Sequence, residues 1–158
     1  MRVLMITQRV DADHDVLGFT VDWIATLAAQ DAVERLDVLT AYEGRHELPS
    51  NVHVRSFGKE RGLPKWRRVL EFERNCLNYA RAGIDVVFVH MIPRYVLASW
   101  PWLRPTGTRF VLWYAHSSVK WDLRLAVGLV NRILTPSVDS FRMDTTKVRI
   151  VGHGIDTD

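Results

Sequence analysis

His90 and His116 are the residues of this chain whose type and context best suit them to chemistry. Each closes an apolar run, Asp85-Val86-Val87-Phe88-Val89-His90 in one case and Val111-Leu112-Trp113-Tyr114-Ala115-His116 in the other. An imidazole at such a junction can hold a proton near neutral pH or bond a hydroxyl or phosphate oxygen. His116 stands among small hydroxyl residues, Ser117 and Ser118, and the hydroxyl of Ser137 follows a third apolar run, Ile133-Leu134-Thr135. Such a set suits a polyhydroxyl or phosphorylated ligand better than a proton-shuttling hydrolase.

Other constellations lead to less. Asp11, Asp13, His14 and Asp15 have metal-ligand chemistry, but no second cluster complements them, so a polar loop facing substrate is the expectation. No Gly-x-Ser-x-Gly elbow supports a Ser–His–Asp hydrolase. The loop Gln8 to Gly18 lacks Gly-x-Gly-x-x-Gly and is too long for a tight dinucleotide turn, which disfavours a simple NAD site. It also lacks the Ser/Thr-rich character of a flavodoxin-like phosphate loop. Gly18 itself either starts a helix or lets a phosphate approach the positive end of one. Cys76 falls near the inner face of a helix, a core position.

Those residues need elements to position them. Val3-Leu4-Met5-Ile6 is apolar without alternation, as in a strand covered on both faces, and Phe19 to Gln30 repeats apolar residues at helical spacing. Leu36 to Thr40 and Val52 to Phe57 read as further strands; the first alternates more cleanly, which predicts a sheet-edge position. Lys65 to Ala82 reads as the longest helix, with Trp66, Val69, Leu70, Leu77 and Ala80 inward and Gly83 as its stop. Strands at Asp85–His90 and Arg109–Tyr114 flank a helix opened by Pro93. A helix over Asp122 to Asn131, a strand at Arg132 to Thr135, a helix over Ser137 to Met143 capped by Ser137, and a strand at Lys147 to Val151 complete the chain. This alternation predicts one α/β domain, a Rossmann-like parallel sheet with helices on both faces. In such sheets ligands bind beyond the carboxyl ends of the strands, which is where His90, His116, Ser117, Ser137 and Gly18 fall.

Composition bounds the rest. The chain has 158 residues, 47% hydrophobic and 25% charged, with one cysteine. That suits one globular domain in a reducing cytoplasm, without a disulfide framework. The start is too briefly apolar for a secretory signal, and no run is long enough to span a bilayer. A surplus of three positive charges is weak grounds for a nucleic-acid partner, and none is expected. Basic residues do gather around Lys65-Trp66-Arg67-Arg68, opening an amphipathic helix that could rest on anionic headgroups or could simply face water.

In order and spacing, these stretches resemble the amino-terminal domain of glycosyltransferase family 4, retaining enzymes of the two-domain GT-B architecture. The resemblance is carried by Met1 to Thr7 with Gly18, Asp85 to His90, Val111 to His116, Asn131-Arg132-Ile133-Leu134-Thr135-Pro136-Ser137, and Lys147 through Gly152-His153-Gly154-Ile155-Asp156. It implies an acceptor-binding domain forming one wall of a cleft, with a nucleotide-sugar donor held mainly by a second domain. It implies that His116 is the catalytic-site histidine contacting the donor sugar, and that Gly18, His90, Ser117 and Ser137 bind substrate. Gly154 and Asp156 match the hinge turn into the second domain. The acceptor is left open among sugars, lipid-linked sugars and small alcohols; no cofactor or metal is implied. Leu17-Gly18 replaces the family's glycine pair, and His153 replaces its usual asparagine. On this reading the 158 residues alone are inactive, located in the cytoplasm or at the inner membrane surface, and prone to self-associate through an exposed interdomain face. A non-catalytic Rossmann-like binding or assembly module is the alternative.

Overall fold

The computed structural model describes residues 1–152. The uniform apolar run at the amino terminus becomes β1 (Arg2–Val10), and its lack of alternation is explained by its neighbours. Leu4 and Ile6 pack into one buried cluster, Val3 and Met5 into another on the opposite face. The chain continues as α1 (Phe19–Ala28), β2 (Arg35–Glu43), β3 (Val52–Ser56), α2 (Lys65–Ala82), β4 (Val86–His90), α3 (Pro93–Leu103), β5 (Arg109–Trp113), α4 (Trp121–Leu129), β6 (Arg132–Thr135) and β7 (Val148–Ile150).

These strands form a seven-stranded sheet in the order β3-β2-β1-β4-β5-β6-β7, with every adjacent pair parallel. Val21, Ile24 and Ala28 of α1 cover one face. Phe72 and Cys76 of α2, Val96 and Leu103 of α3, and Leu123 and Ala126 of α4 cover the other. The expected single Rossmann-like domain with helices on both faces is the fold observed. Pro93 opens α3 as anticipated, Cys76 is fully buried, and Gly83 stops α2 with φ +78°.

Three local expectations are corrected. Leu36 to Thr40 does not edge the sheet: β2 lies between β3 and β1, and β3 is the edge. The polar alternation that suggested an edge comes from Asp37, which stays buried because the Arg35 Nε and Nη2 donate to its carboxylate at 2.9 and 2.8 Å. The inner face of α2 is not built from Trp66, Val69 and Leu70, which are 59%, 50% and 59% exposed; Phe72, Asn75 and Cys76 face the sheet instead. Asn75 tolerates burial because its amide donates to Glu71 O at 2.7 Å and its oxygen accepts from Arg55 at 3.2 Å. Ser137 caps no helix: only a single 3-10 turn, Val138–Ser140, follows it. Phe141 pulls the chain extended there, burying its ring edge-on to Tyr114 at 6.3 Å between centroids.

Phe110 is the largest fully buried side chain, in β5 at the centre of the three-helix side. Phe110→Ala leaves a cavity between packed layers and is expected to cost about 3–5 kcal/mol. A lowered urea midpoint at unchanged slope measures it; a loss below about 1 kcal/mol would mean the site collapses around the gap.

Candidate functional site at the carboxyl rim

Strand order reverses direction at β1, because β2 pairs on one of its sides and β4 on the other. The loops leaving β1 and β4 therefore part, and a crevice opens between them at the carboxyl edge. Gly18 follows β1, His90 ends β4, His116 and Ser117 follow β5, and Ser137 follows β6, so all lie along this one rim. The hinge residues expected from the sequence, Gly154 and Asp156, lie outside the described residues.

His90 is 3% exposed, its Nδ1 sharing a hydrogen bond with Thr7 Oγ1 at 3.1 Å across the β1–β4 junction. Its ring sits against Trp23 and Phe19, at 5.5 and 6.2 Å between centroids. Trp23 in turn meets Trp113 edge-on at 5.0 Å. Burial pushes the imidazole down to about 4 from the ordinary 6.5, so it is neutral at physiological pH. These side chains, with Val16, Leu17, Met91 and Ala115, line a cavity of about 230 Å³ whose walls are almost wholly apolar.

Met91 turns the chain away from β4 with φ +66°, a left-handed conformation uncommon for a non-glycine residue. Two hydrogen bonds hold it: Met91 N donates to Trp113 O at 2.8 Å and Ile92 N to His90 O at 2.9 Å. Backbone strain held this firmly marks a place where the fold dictates side-chain direction, here into the cavity wall.

The first loop is locked from within. Val16 N and Leu17 N donate to His14 Nδ1 at 3.2 and 3.0 Å, and Gly18 N donates to His14 O at 2.8 Å. Gly18 has an ordinary helical φ; its lack of a side chain is used for space, since a Cβ would stand 3.0 Å from Ala12 O and His14 O. Asp11 accepts from Arg9 at 2.9 Å and Asp13 pairs with Arg45. Among the described residues no group of three His, Cys, Asp or Glu side chains converges to hold a metal ion.

His116 differs from His90 in every respect but strand-end position. It is exposed on the loop after β5, 6.4 Å from the Tyr114 ring, with Ser117 exposed beside it. The Tyr114 hydroxyl donates to Ser118 O at 2.8 Å, holding that loop to the buried end of the strand. Ser137 is half-buried, its Oγ 2.8 Å from that of Ser140. The rim thus combines a dry aromatic cavity with a polar lip bearing an accessible imidazole. Phe19, Trp23, Met91 and Trp113 did not stand out in the sequence, because aromatic residues in apolar runs read as core.

No protein-family model matches the chain, and no curated protein does. Solved structures do. A lipopolysaccharide outer core galactosyltransferase WaaB in its apo form aligns at TM-score 0.66 and 10% identity, covering 100% of this chain and 47% of that one. The UDP-GlcNAc 2-epimerase of Methanocaldococcus jannaschii aligns at TM-score 0.63 and 10% identity, covering 96% and 45%. Alr3699/HepE of Anabaena in complex with UDP aligns at TM-score 0.65 and 14% identity, covering 99% and 45%. The fold is that of the amino-terminal half of GT-B enzymes, and the chain spans less than half the length of these structures.

The buried imidazole makes stability depend on pH with a defined sign. A depressed pKa means the unfolded chain takes up a proton first, so the stabilisation is whole above about 6.5 and is lost as pH falls toward about 4. The shift is worth about 3 kcal/mol. His90→Asn, which can keep the bond to Thr7, is expected to flatten the stability slope between those pH values relative to the natural chain, as read from urea midpoints; parallel slopes would show the imidazole is not neutral inside.

Proposed function

We propose that this chain is the acceptor-binding half of a retaining, nucleotide-sugar-dependent glycosyltransferase. A donor-binding Rossmann-like domain, in a longer polypeptide or a separate partner, supplies the facing wall. The observation that carries the reading is the convergence of Gly18, His90, His116, Ser117 and Ser137 on one rim of a fold shared with GT-B enzymes. The printed descriptions support a sugar-handling role: a galactosyltransferase, an epimerase named for UDP-GlcNAc, and a protein complexed with UDP.

In this reading the acceptor seats against the aromatic cavity, and an acceptor hydroxyl attacks the anomeric carbon of the donor sugar from the same face that the diphosphate leaves, the departing diphosphate taking both the bonding electrons and the hydroxyl proton. The apolar walls around His90 exclude water from that exchange. His116 reaches the donor sugar from the lip, with Ser117 and Ser137 bonding hydroxyls beside it. The departing diphosphate needs positive charge from the facing wall, since charge stabilisation of the leaving group is the largest catalytic term. A reducing cytoplasm is the proposed setting, with Cys76 a buried free thiol. A second reading, a non-catalytic binding or assembly module, draws on the same apolar cavity, which needs no facing wall to bind.

The 158 residues alone are expected to show no turnover with a panel of nucleotide sugars and acceptors. Joined to a donor-binding domain they are expected to transfer sugar, and His116→Ala then to lower kcat about a hundredfold with little change in acceptor KM. Robust turnover by the chain alone would sink the proposal. Failure of any donor domain to restore activity, with acceptor binding intact, would favour the binding module.

A further inference from the structure

We propose that a cleft between the first turns of α2 and α3 binds a small aromatic acid, one ring carrying a carboxylate or a phosphate. The cleft measures about 280 Å³ and lies where β3 and β4 hand the chain on to these two helices. Met91 lines the cavity beside His90 and Arg94 lines this cleft, so the short turn into α3 separates the two, and they share no lining residue. The proposed transferase reaction makes no use of it.

The walls are aromatic. Phe57 meets Phe72 edge-on at 5.4 Å between centroids and Tyr95 at 5.9 Å. Phe72 and Tyr95 are stacked, 5.6 Å between centroids with 23° between their planes. Such walls favour another ring, through the same offset and edge-on contacts. The volume falls just below the usual range for drug-sized ligands, about 300–1,000 Å³, which suits a single ring and not a long chain.

Cations line the same cleft. Lys65, Arg68 and Arg94 stand there against one carboxylate, Glu73, to which the Trp102 indole Nε1 donates. Arg68 decides the matter. Its Nε is buried and has no hydrogen-bond partner among the described residues, although a buried donor left unmatched is costly. A carboxylate or phosphate offers two oxygens side by side, the match for Nε and one Nη of a guanidinium. Arg94 is fixed at the entrance, its Nε donating to Asp122 at 3.1 Å and its guanidinium 5.6 Å from the Trp121 ring centroid. Burial pushes the Tyr95 phenol up to about 12, with Arg68 pulling the other way, so its hydroxyl keeps its proton and can donate as well.

The two features together select the occupant. A neutral ring would fill the walls and leave Arg68 unmatched. A bare phosphate would answer Arg68 and leave the aromatic walls without contact. An ion that carries both a ring and an acid group satisfies both.

The test is a titration of the chain alone, read from nitrogen–proton correlation spectra. The probes are benzoate, phenyl phosphate, benzyl alcohol and inorganic phosphate. At least one of the two aromatic acids is expected to saturate with a dissociation constant on the order of 1 mM, shifting the Trp102 indole and Arg68 Nε–H signals. The tighter of them identifies the acid group. Benzyl alcohol and inorganic phosphate are expected to bind about tenfold more weakly or worse. Arg68→Met removes the unmatched donor, so thermal unfolding is expected to hold or rise while the better acid binds about tenfold more weakly. Arg68→Lys keeps the charge without the fork and is expected to recover only part of the binding. Arg142→Gln, an exposed arginine between β6 and β7, is expected to change nothing. No saturable shift with either acid, benzyl alcohol or inorganic phosphate binding as tightly as the acids, or full binding by either Arg68 variant would overturn the proposal. So would shifts at the Trp23 and Trp113 indoles without Trp102, since the acid would then lie in the cavity beside His90. No donor domain or nucleotide sugar enters the titration, so failure of the transferase reading leaves its outcome untouched.

Discussion

Each parallel strand must return to its start across one face of the sheet, and the return path is right-handed. That constraint organises the rest of the molecule. With β2 and β4 on opposite sides of β1, the path through α1 falls on one face and the paths through α2, α3 and α4 on the other. Every strand then ends at the same rim, and the two loops beside β1 diverge there. The Thr7–His90 hydrogen bond spans the junction at the one place where sequence-distant strands meet beneath the crevice. A crevice at this rim is a consequence of strand order before any side chain is considered.

His90 and His116 show how far that consequence extends. The same signature, a histidine ending an apolar run, produces a buried neutral imidazole in one case and an exposed one in the other. The difference lies in what crosses the rim nearby. Phe19 and Trp23 at the start of α1 lean over β4 and enclose His90, whereas the loop after β5 carries only small residues around His116. His90 is therefore part of the cavity wall, and His116 is the imidazole open to solvent. Neither fate could be read from the runs themselves, since both depend on an element distant in sequence.

Strand and helix identities were legible because parallel sheets impose uninterrupted apolar runs between amphipathic stretches, as in Val86 to His90. What misled was polarity that is answered inside the fold. Asp37 suggested an edge because Arg35, its partner two residues away, is invisible to a burial pattern that counts polar residues as exposed. Ser137 offered a helix cap, but the burial of Phe141 against Tyr114 outweighed one side-chain bond. The aromatic cavity went unread for the opposite reason: Trp23 and Trp113 look like core until the loops beside β1 are known to part.

The structure departs furthest from the sequence pattern in α2. Helical spacing predicts Trp66, Val69 and Leu70 inward, because apolar residues so spaced face the core in most helices. In α2 two apolar arcs exist, and Phe72 with Cys76 makes the better fit to the sheet, in company with Phe57 and Tyr95. The second arc is left outward at the start of a helix about 27 Å long. That start lies at the carboxyl rim, because α2 begins where β3 has just ended.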